Sequence, residues 1–430
     1  MEEKLTFSKL ENGLIIRLKE IHNAPIISHW VWYRVGSRSE HPGKTGLSHW
    51  VEHMQFKGTP RFPAGILDKA ISRSGGYWNA FTFMDWTAYF QTMPADQADL
   101  ALELEADRMV NSLYDEKEVD SERTVIISEL EGNENDPMFR LGRAVQTAAF
   151  SNHPYRNEVI GSLEDLLAIS RDDLFNHYRS NYTPGNAVVA VAGDFDTAEM
   201  LEKITKHYNG ILPGDETEQL PPADSPLVEE KRLVVEGPGE TTFIEAAYRA
   251  PAASHKDFYI LSVIDSLLTG PSGLNMFGGG GISNRTSRMY QSMVESETVI
   301  SIYGSLQATI DPFLYSINST VHPAKSPEAA LQKLDDEIKR IQDEMVPTDE
   351  IQRAVKQARA LFAYGTENIT NQAFWLGYAE MFDQYEWFLN YINNLEAVTP
   401  ADIQRVVHEY LDHSRRVVGI YKPTQQEGRA

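Results

Sequence analysis

Short runs of two-residue alternation are interleaved along this chain with longer runs of helical period. Residues 13–19 and 26–35 alternate β-branched and aromatic positions with polar ones, which predicts strands. Residues 77–81 and 86–92 predict a strand pair, and the apolar run 188–192 predicts a short buried strand. Apolar residues at three- and four-residue spacing predict helices near 45–58, 66–71, 97–111, 116–130, 174–178 and 200–208. Strands alternating with helix pairs imply an α+β fold, a mostly antiparallel sheet with helices packed on one face.

The pattern breaks at 213–230, a polar, acidic, Pro-rich stretch with the composition of an interdomain linker. A weak repeat of the first half follows. Strands at 231–235 and 243–248 precede a helix at 258–268, and Ala247-Tyr248-Arg249 stands where Trp32-Tyr33-Arg34 stands before the first helix. Each half ends on a helix with His-Tyr or His-Glu-Tyr and then a β-rich run, 186–193 or 416–421. The expected organisation is a domain at 1–212, a linker at 213–230 and a homologous domain at 231–430.

Composition narrows the chemistry. With 430 residues, 42% hydrophobic and 23% charged, the chain can bury more than one core. It contains no Cys, so disulfides and thiolate-bound metals are excluded, and His and carboxylate are the strong metal ligands left. A net charge of −23 argues against nucleic acid and anionic membranes as partners and is compatible with basic peptides. No stretch approaches the roughly 20 apolar residues of a membrane span. No signal peptide is visible at Met1-Glu2-Glu3-Lys4-Leu5, which makes cytoplasmic the expectation, or periplasmic for a trimmed mature form.

The densest chemical signal is His49-Trp50-Val51-Glu52-His53. Thr45 is a candidate N-cap for a short helix here, and Gly58 with Pro60 supplies its stop. Residues four apart share a helix face, so His49 and His53 project side by side as two metal ligands must. Glu52 lies beside His53, within reach of a water at that metal. The order H-x-x-E-H is the inverse of the commoner H-E-x-x-H zinc helix. Zinc takes a third protein ligand and leaves a fourth position open. The candidate is Glu129, on a helix whose Glu122, two turns earlier, shares its face and would orient a His or hold charge.

These motifs are similar to those of the pitrilysin-type, or inverzincin, zinc metallopeptidases, including processing-peptidase-like members. That family takes its third ligand from a later helix with another acid seven residues before it, the positions held here by Glu129 and Glu122. Gly75-Gly76-Tyr77-Trp78-Asn79-Ala80-Phe81-Thr82 resembles the family's substrate-binding strand, and His153-Pro154-Tyr155, Tyr182-Thr183-Pro184-Gly185-Asn186 and Gly193-Asp194 match later landmarks. The resemblance implies one Zn²⁺ per chain on His49, His53 and Glu129, with Glu52 as general base and Glu122 supporting it. It also implies endopeptidase activity on short extended peptides that pair with Asn79, Ala80 and Phe81. The second half lacks the His pair and carries Ser262, Asp265 and Ser266 instead, one silent half beside one active half.

One departure bears on partners. Family members whose second half completes the site place an Arg and, seven residues later, a Tyr after a helix like 287–293; here those positions are Val294 and Ser301, with Tyr303 two residues off register. The expectation is therefore a dimer, a heterodimer with a related zinc-less chain carrying the Arg/Tyr clamp. The alternative is a non-catalytic scaffold or assembly subunit. The run 278–281 of four glycines lacks the Lys-Ser/Thr of a phosphate loop and is expected to be a flexible loop. His29, His153, His177 and His408 are expected to be structural.

Overall fold

A computed structural model describes residues 4–214, 224–271 and 283–424. The chain falls into two compact units. Unit 1 comprises Met1–Leu130, Asn157–Pro221 and Thr366–Phe388; unit 2 comprises Glu131–Arg156, Pro222–Gly365 and Leu389–Ala430. The continuous halves expected at 1–212 and 231–430 differ from this division in two segments, one from each half. An amphipathic helix goes where its apolar face finds cover, and for these segments that is the unit built mainly from the other half. Part of the expected linker, 215–223, and the four glycines at 278–281 lie outside the described residues.

Unit 1 is built on a sheet of six strands: β1 (Lys4–Lys9), β2 (Ile15–Glu20), β3 (Ile26–Tyr33), β4 (Tyr77–Thr82), β5 (Thr87–Pro94) and β6 (Ala187–Gly193). Their spatial order is β1-β2-β6-β3-β5-β4, antiparallel except for the β2–β6 pair. Central β6 is apolar throughout and buried on both faces, as a covered strand should be. Alternation sends the residues of β3 to opposite faces. Trp30 and Trp32 stack with ring centroids 5.3 Å apart and meet Phe374 edge-on, under the helix Ile369–Tyr378. A Cβ on Gly377 of that helix would come within 2.1 Å of Trp32 Nε1, so glycine permits the contact. On the other face Tyr33 packs against Tyr182, and buried His29 bonds Gln91 at 3.0 Å.

Among the described residues, unit 2 repeats this plan without a counterpart to β1. Strands β7 (Lys231–Pro238), β8 (Phe243–Arg249), β9 (Val299–Leu306), β10 (Leu314–Val321) and β11 (Arg416–Thr424) are ordered β7-β11-β8-β10-β9, with β7–β11 parallel. The helix Pro137–Ala149 covers one face, Leu141 and Val145 reaching toward Gly419 of β11. The helix Lys256–Leu268 lies on the opposite face, where buried Asp265 sits against Gly304 of β9. The fold is the expected α+β pair of mostly antiparallel sheets, and each sheet also carries a helix across its second face. Among the described residues no helix is long and apolar enough to cross a membrane.

Candidate metal centre

Helices α1 (Leu47–Met54), α2 (Ile66–Arg73), α3 (Ala98–Asn111) and α4 (Glu116–Asn133) follow one another in the first half of the chain, and α1 and α4 carry the site. Helix α1 buries Leu47, Trp50, Val51 and Met54, leaving His49 and His53 partly exposed on its other side. Its N-terminus differs from the expectation. Gly46, at φ 88°, holds the N-cap, and a Cβ there would lie 2.5 Å from Ile160 O. Thr45 instead donates its hydroxyl to Asp165. The first helical N–H groups are satisfied by Glu40, whose carboxylate accepts from Gly46 N at 2.9 Å and Ser48 N at 2.7 Å. Burial pushes the Glu40 carboxyl up to about 8, against the pull of those N–H donors.

Helix α4 brings Glu122 and Glu129 to this face of α1. Arg123, between them in sequence, holds the helix in place: it donates to Leu166 O and, at 2.9 Å, to Ile169 O, and its guanidinium lies 4.6 Å from the Trp50 ring centroid. Glu129 Oε2 lies 3.7 Å from His53 Nε2 and 3.9 Å from His49 Nε2. One donor atom from each of the three residues falls within 4.8 Å of the others. Around a tetrahedral zinc, donors at about 2.1 Å lie roughly 3.4 Å apart, so small side-chain adjustments close this set. The donors fit a His₂-carboxylate metal site.

The neighbours prepare the imidazoles. Glu122 Oε1 is 2.7 Å from His53 Nδ1, which leaves Nε2 facing Glu129. Lys57 pairs with the other oxygen of Glu122. Burial alone would lower His53, but Glu122 with the nearby Glu52 and Glu129 raise it above its ordinary value. Burial and the neighbouring His53 push His49 down to about 3, so it is neutral and its lone pair is available. Burial would raise Glu122, but its bonds to His53 and Lys57 bring it below the usual carboxylate range. Glu52 is buried, and burial raises its carboxyl against the opposing bond from Thr82, whose hydroxyl donates to Oε2 at 2.7 Å.

Each expected site residue has a definite place. His49, His53, Glu52, Glu122 and Glu129 converge. Asn79, Ala80 and Phe81 lie on β4, the edge strand of the sheet, with Asn79 exposed and Ala80 buried. The Ala80 N–H points away from β5 and donates to Asn79 Oδ1 at 2.9 Å. Lys57, Thr82 and Glu40 were not singled out by sequence reasoning. Lys57 follows His53 by four residues and Thr82 ends the Asn79 strand, so both spacings carried a signal; Glu40 carried none. In unit 2, Ser262 and Ser266 donate to backbone carbonyls of Phe258 and Ala354, while Asp265 accepts from Thr269 and Tyr315. These three positions serve packing. Val294 lies in a wide turn, Tyr290–Val294, and Ser301 and Tyr303 share one face of β9.

The chain has recognisable relatives. Residues 16–163 match the family described as Insulinase (Peptidase family M16), and residues 168–358 match Peptidase M16 inactive domain. An uncharacterized zinc protease of Mycobacterium leprae is 27% identical over 418 residues, spanning 96% of this chain and 91% of that one. The zinc protease PqqE of Helicobacter pylori is 32% identical over 268 residues, 60% of each chain. The crystal structure of a protease from Helicobacter pylori superposes with a TM-score of 0.89 at 24% identity, covering 98% of this chain and 100% of that one.

Proposed function

The chain belongs to peptidase family M16, and on that premise we propose that it is a zinc-dependent endopeptidase acting on short extended peptides. The observation that supports this reading is the convergence of His49, His53 and Glu129 beside the buried carboxylate of Glu52. Zinc, when held by those three residues, would supply Lewis-acid polarisation of the scissile carbonyl and an acidified water. Glu52 takes the proton of the attacking water and passes it to the leaving amine as the C–N bond breaks. Thr82 fixes Oε2 of that carboxylate, which keeps Oε1 for the proton. A peptide pairing with the edge of β4 competes with Asn79 for the Ala80 N–H. Ala80 and Phe81 line the same strand. The clamp positions Val294 and Ser301 offer no arginine or tyrosine, so a related zinc-less chain carrying both completes the site as a heterodimer.

A second reading is a scaffold or assembly subunit; the match of the second half to an inactive domain favours it. One experiment separates the two. Zinc content and cleavage of a quenched fluorogenic peptide mixture are measured for the wild type and for Glu52→Gln. The peptidase reading expects one zinc in both proteins and cleavage by the wild type alone, slowed by about 10²–10⁴-fold in the variant. Zinc in both with no cleavage, restored by a related chain, supports the heterodimer. No bound zinc overturns the site and leaves the scaffold.

A further inference from the structure

Helix α1 carries two of the three expected ligands, and the two are held by different means. Glu122 fixes the His53 ring through Nδ1 at 2.7 Å. Two residues on, Gln55 accepts from Ser112 Oγ at 2.6 Å and donates to Tyr114 OH at 3.1 Å, which ties down that end of the helix. His49 has no such partner. Its Nδ1 is buried and makes no hydrogen bond among the described residues. The placement of this ring therefore rests on the backbone that carries it.

That backbone is gripped by two carboxylates from outside the helix. Glu40, 4% exposed, accepts from Gly46 N at 2.9 Å and from Ser48 N at 2.7 Å, and the Ser48 hydroxyl bonds it as well. Asp165, on the helix Leu163–Ala168, accepts from Thr45 N at 3.0 Å and from the Thr45 hydroxyl. Ser48 Oγ also lies 3.1 Å from His177 Nε2. The N–H groups of Thr45, Gly46 and Ser48 are thus taken, up to the residue before His49. A first turn needs acceptors for its N–H groups, and negative charge there meets the positive end of the helix dipole. Capping for stability alone would be met by one neutral side chain at the N-cap. Gly46 holds that position at φ 88° and offers none, and the acids come at a cost: burial and then the nearby Asp165 raise the Glu40 carboxyl. The arrangement fixes the first turn from two sides where a single cap would only start it.

We propose that Glu40, with Asp165 beside it, is the positioning residue for His49, clamping the first turn of α1 so that this ring meets the metal. Neither acid is among the expected ligands. Metal–donor distances tolerate about 0.2 Å, so a first turn that slips by more detunes His49 while His53 stays on Glu122. The assignment rests on the metal-site reading above.

The test uses the full chain and reads zinc affinity by chelator competition, together with the visible absorption bands of the Co²⁺-loaded protein, which report ligand geometry. Glu40→Gln turns an amide NH₂ toward backbone donors; it is expected to weaken zinc binding by about tenfold or more and to shift the Co²⁺ bands. Glu40→Asp keeps the charge and both acceptor oxygens on a shorter stem and falls between that variant and the wild type. Asp165→Ala, which leaves Glu40 in place, weakens zinc by a smaller factor. Asp257→Asn breaks an ion pair with Arg405 in unit 2; it is the stability control and moves neither readout. Wild-type affinity and bands in folded Glu40→Gln overturn the assignment. Should that variant not fold, wild-type values in Asp165→Ala overturn it. Losses in Asp257→Asn as large as those in Glu40→Gln trace the effect to general stability and overturn it too. A wild type that binds no zinc overturns the metal-site reading itself, and the clamp with it.

Discussion

Glu122 Oε1 stands 2.7 Å from His53 Nδ1, and the same carboxylate pairs through its other oxygen with Lys57. One acid thus fixes the ring orientation of an expected ligand and is itself anchored. It touches a ligand rather than the reacting atoms, so it is a positioning residue. Partners of this kind change metal affinity by about 10–100-fold when removed. Glu122→Ala is expected to lower zinc affinity by that factor in chelator competition, with Glu122→Gln intermediate. Unchanged affinity in both variants would remove Glu122 from the site.

Thr82 holds the buried carboxylate of Glu52 at 2.7 Å. Thr82→Val keeps the shape and removes the donor. Losing a hydrogen bond to a charged group costs about 1.5–3 kcal/mol, so kcat is expected to fall roughly ten- to hundredfold with KM little changed. Steady-state kinetics on one fluorogenic peptide decides it; a change confined to KM would assign Thr82 to substrate binding.

Gly377 meets Trp32 where no Cβ fits. Gly377→Ala must displace the indole or the helix, and overpacking of this kind costs about 1–3 kcal/mol. Thermal unfolding followed by near-ultraviolet circular dichroism should show the melting midpoint lowered by several degrees. An unchanged midpoint would mean that the Trp32 stack yields at no cost.

Arg405 grips buried Asp257 at 2.5 and 2.9 Å and holds its carboxyl below the ordinary value of 3.8. The unfolded chain therefore binds the proton first as pH falls. The stabilisation is complete above 3.8 and is lost as pH drops through the folded value. Asp257→Asn lacks this contribution at neutral pH and should show a shallower loss of stability below pH 3.8, measured by urea unfolding across that range. Parallel acid limbs for the two proteins would refute the assignment.

The metal site was legible because helical spacing is rigid. An offset of four residues from His49 to His53, and of seven from Glu122 to Glu129, fixes shared faces before any tertiary contact is known. The meeting of α1 with α4 followed from the need for a third ligand and from the family resemblance. What escaped was set by through-space neighbours. Glu40 caps α1 from six and eight residues upstream, where no capping pattern looks for it, and Thr45 turned to Asp165 instead. Strand β1, with Leu5 and Phe7 exposed, lacks a clean buried stripe. Strands β9 and β10 and the helices from Pro327 to Glu396 went unpredicted, although helices such as Pro327–Asp343 do carry a regular apolar face. The exchange of Glu131–Arg156 and Thr366–Phe388 between the units has no local signature, because an apolar helix face does not state which sheet it will cover.

That last feature sets a timetable for the nascent chain. Trp30, Trp32 and Phe90 are in place early in synthesis, but the helix that shelters the two tryptophans ends at Tyr378. At about 5–20 residues per second, the aromatic face of the first sheet waits some tens of seconds for its cover. During that interval the emerging half presents a large sticky surface to the cell, and a fragment truncated before Thr366 would present it permanently. Chaperone demand during translation, and aggregation of such fragments, are written into the order in which the pieces of unit 1 leave the ribosome.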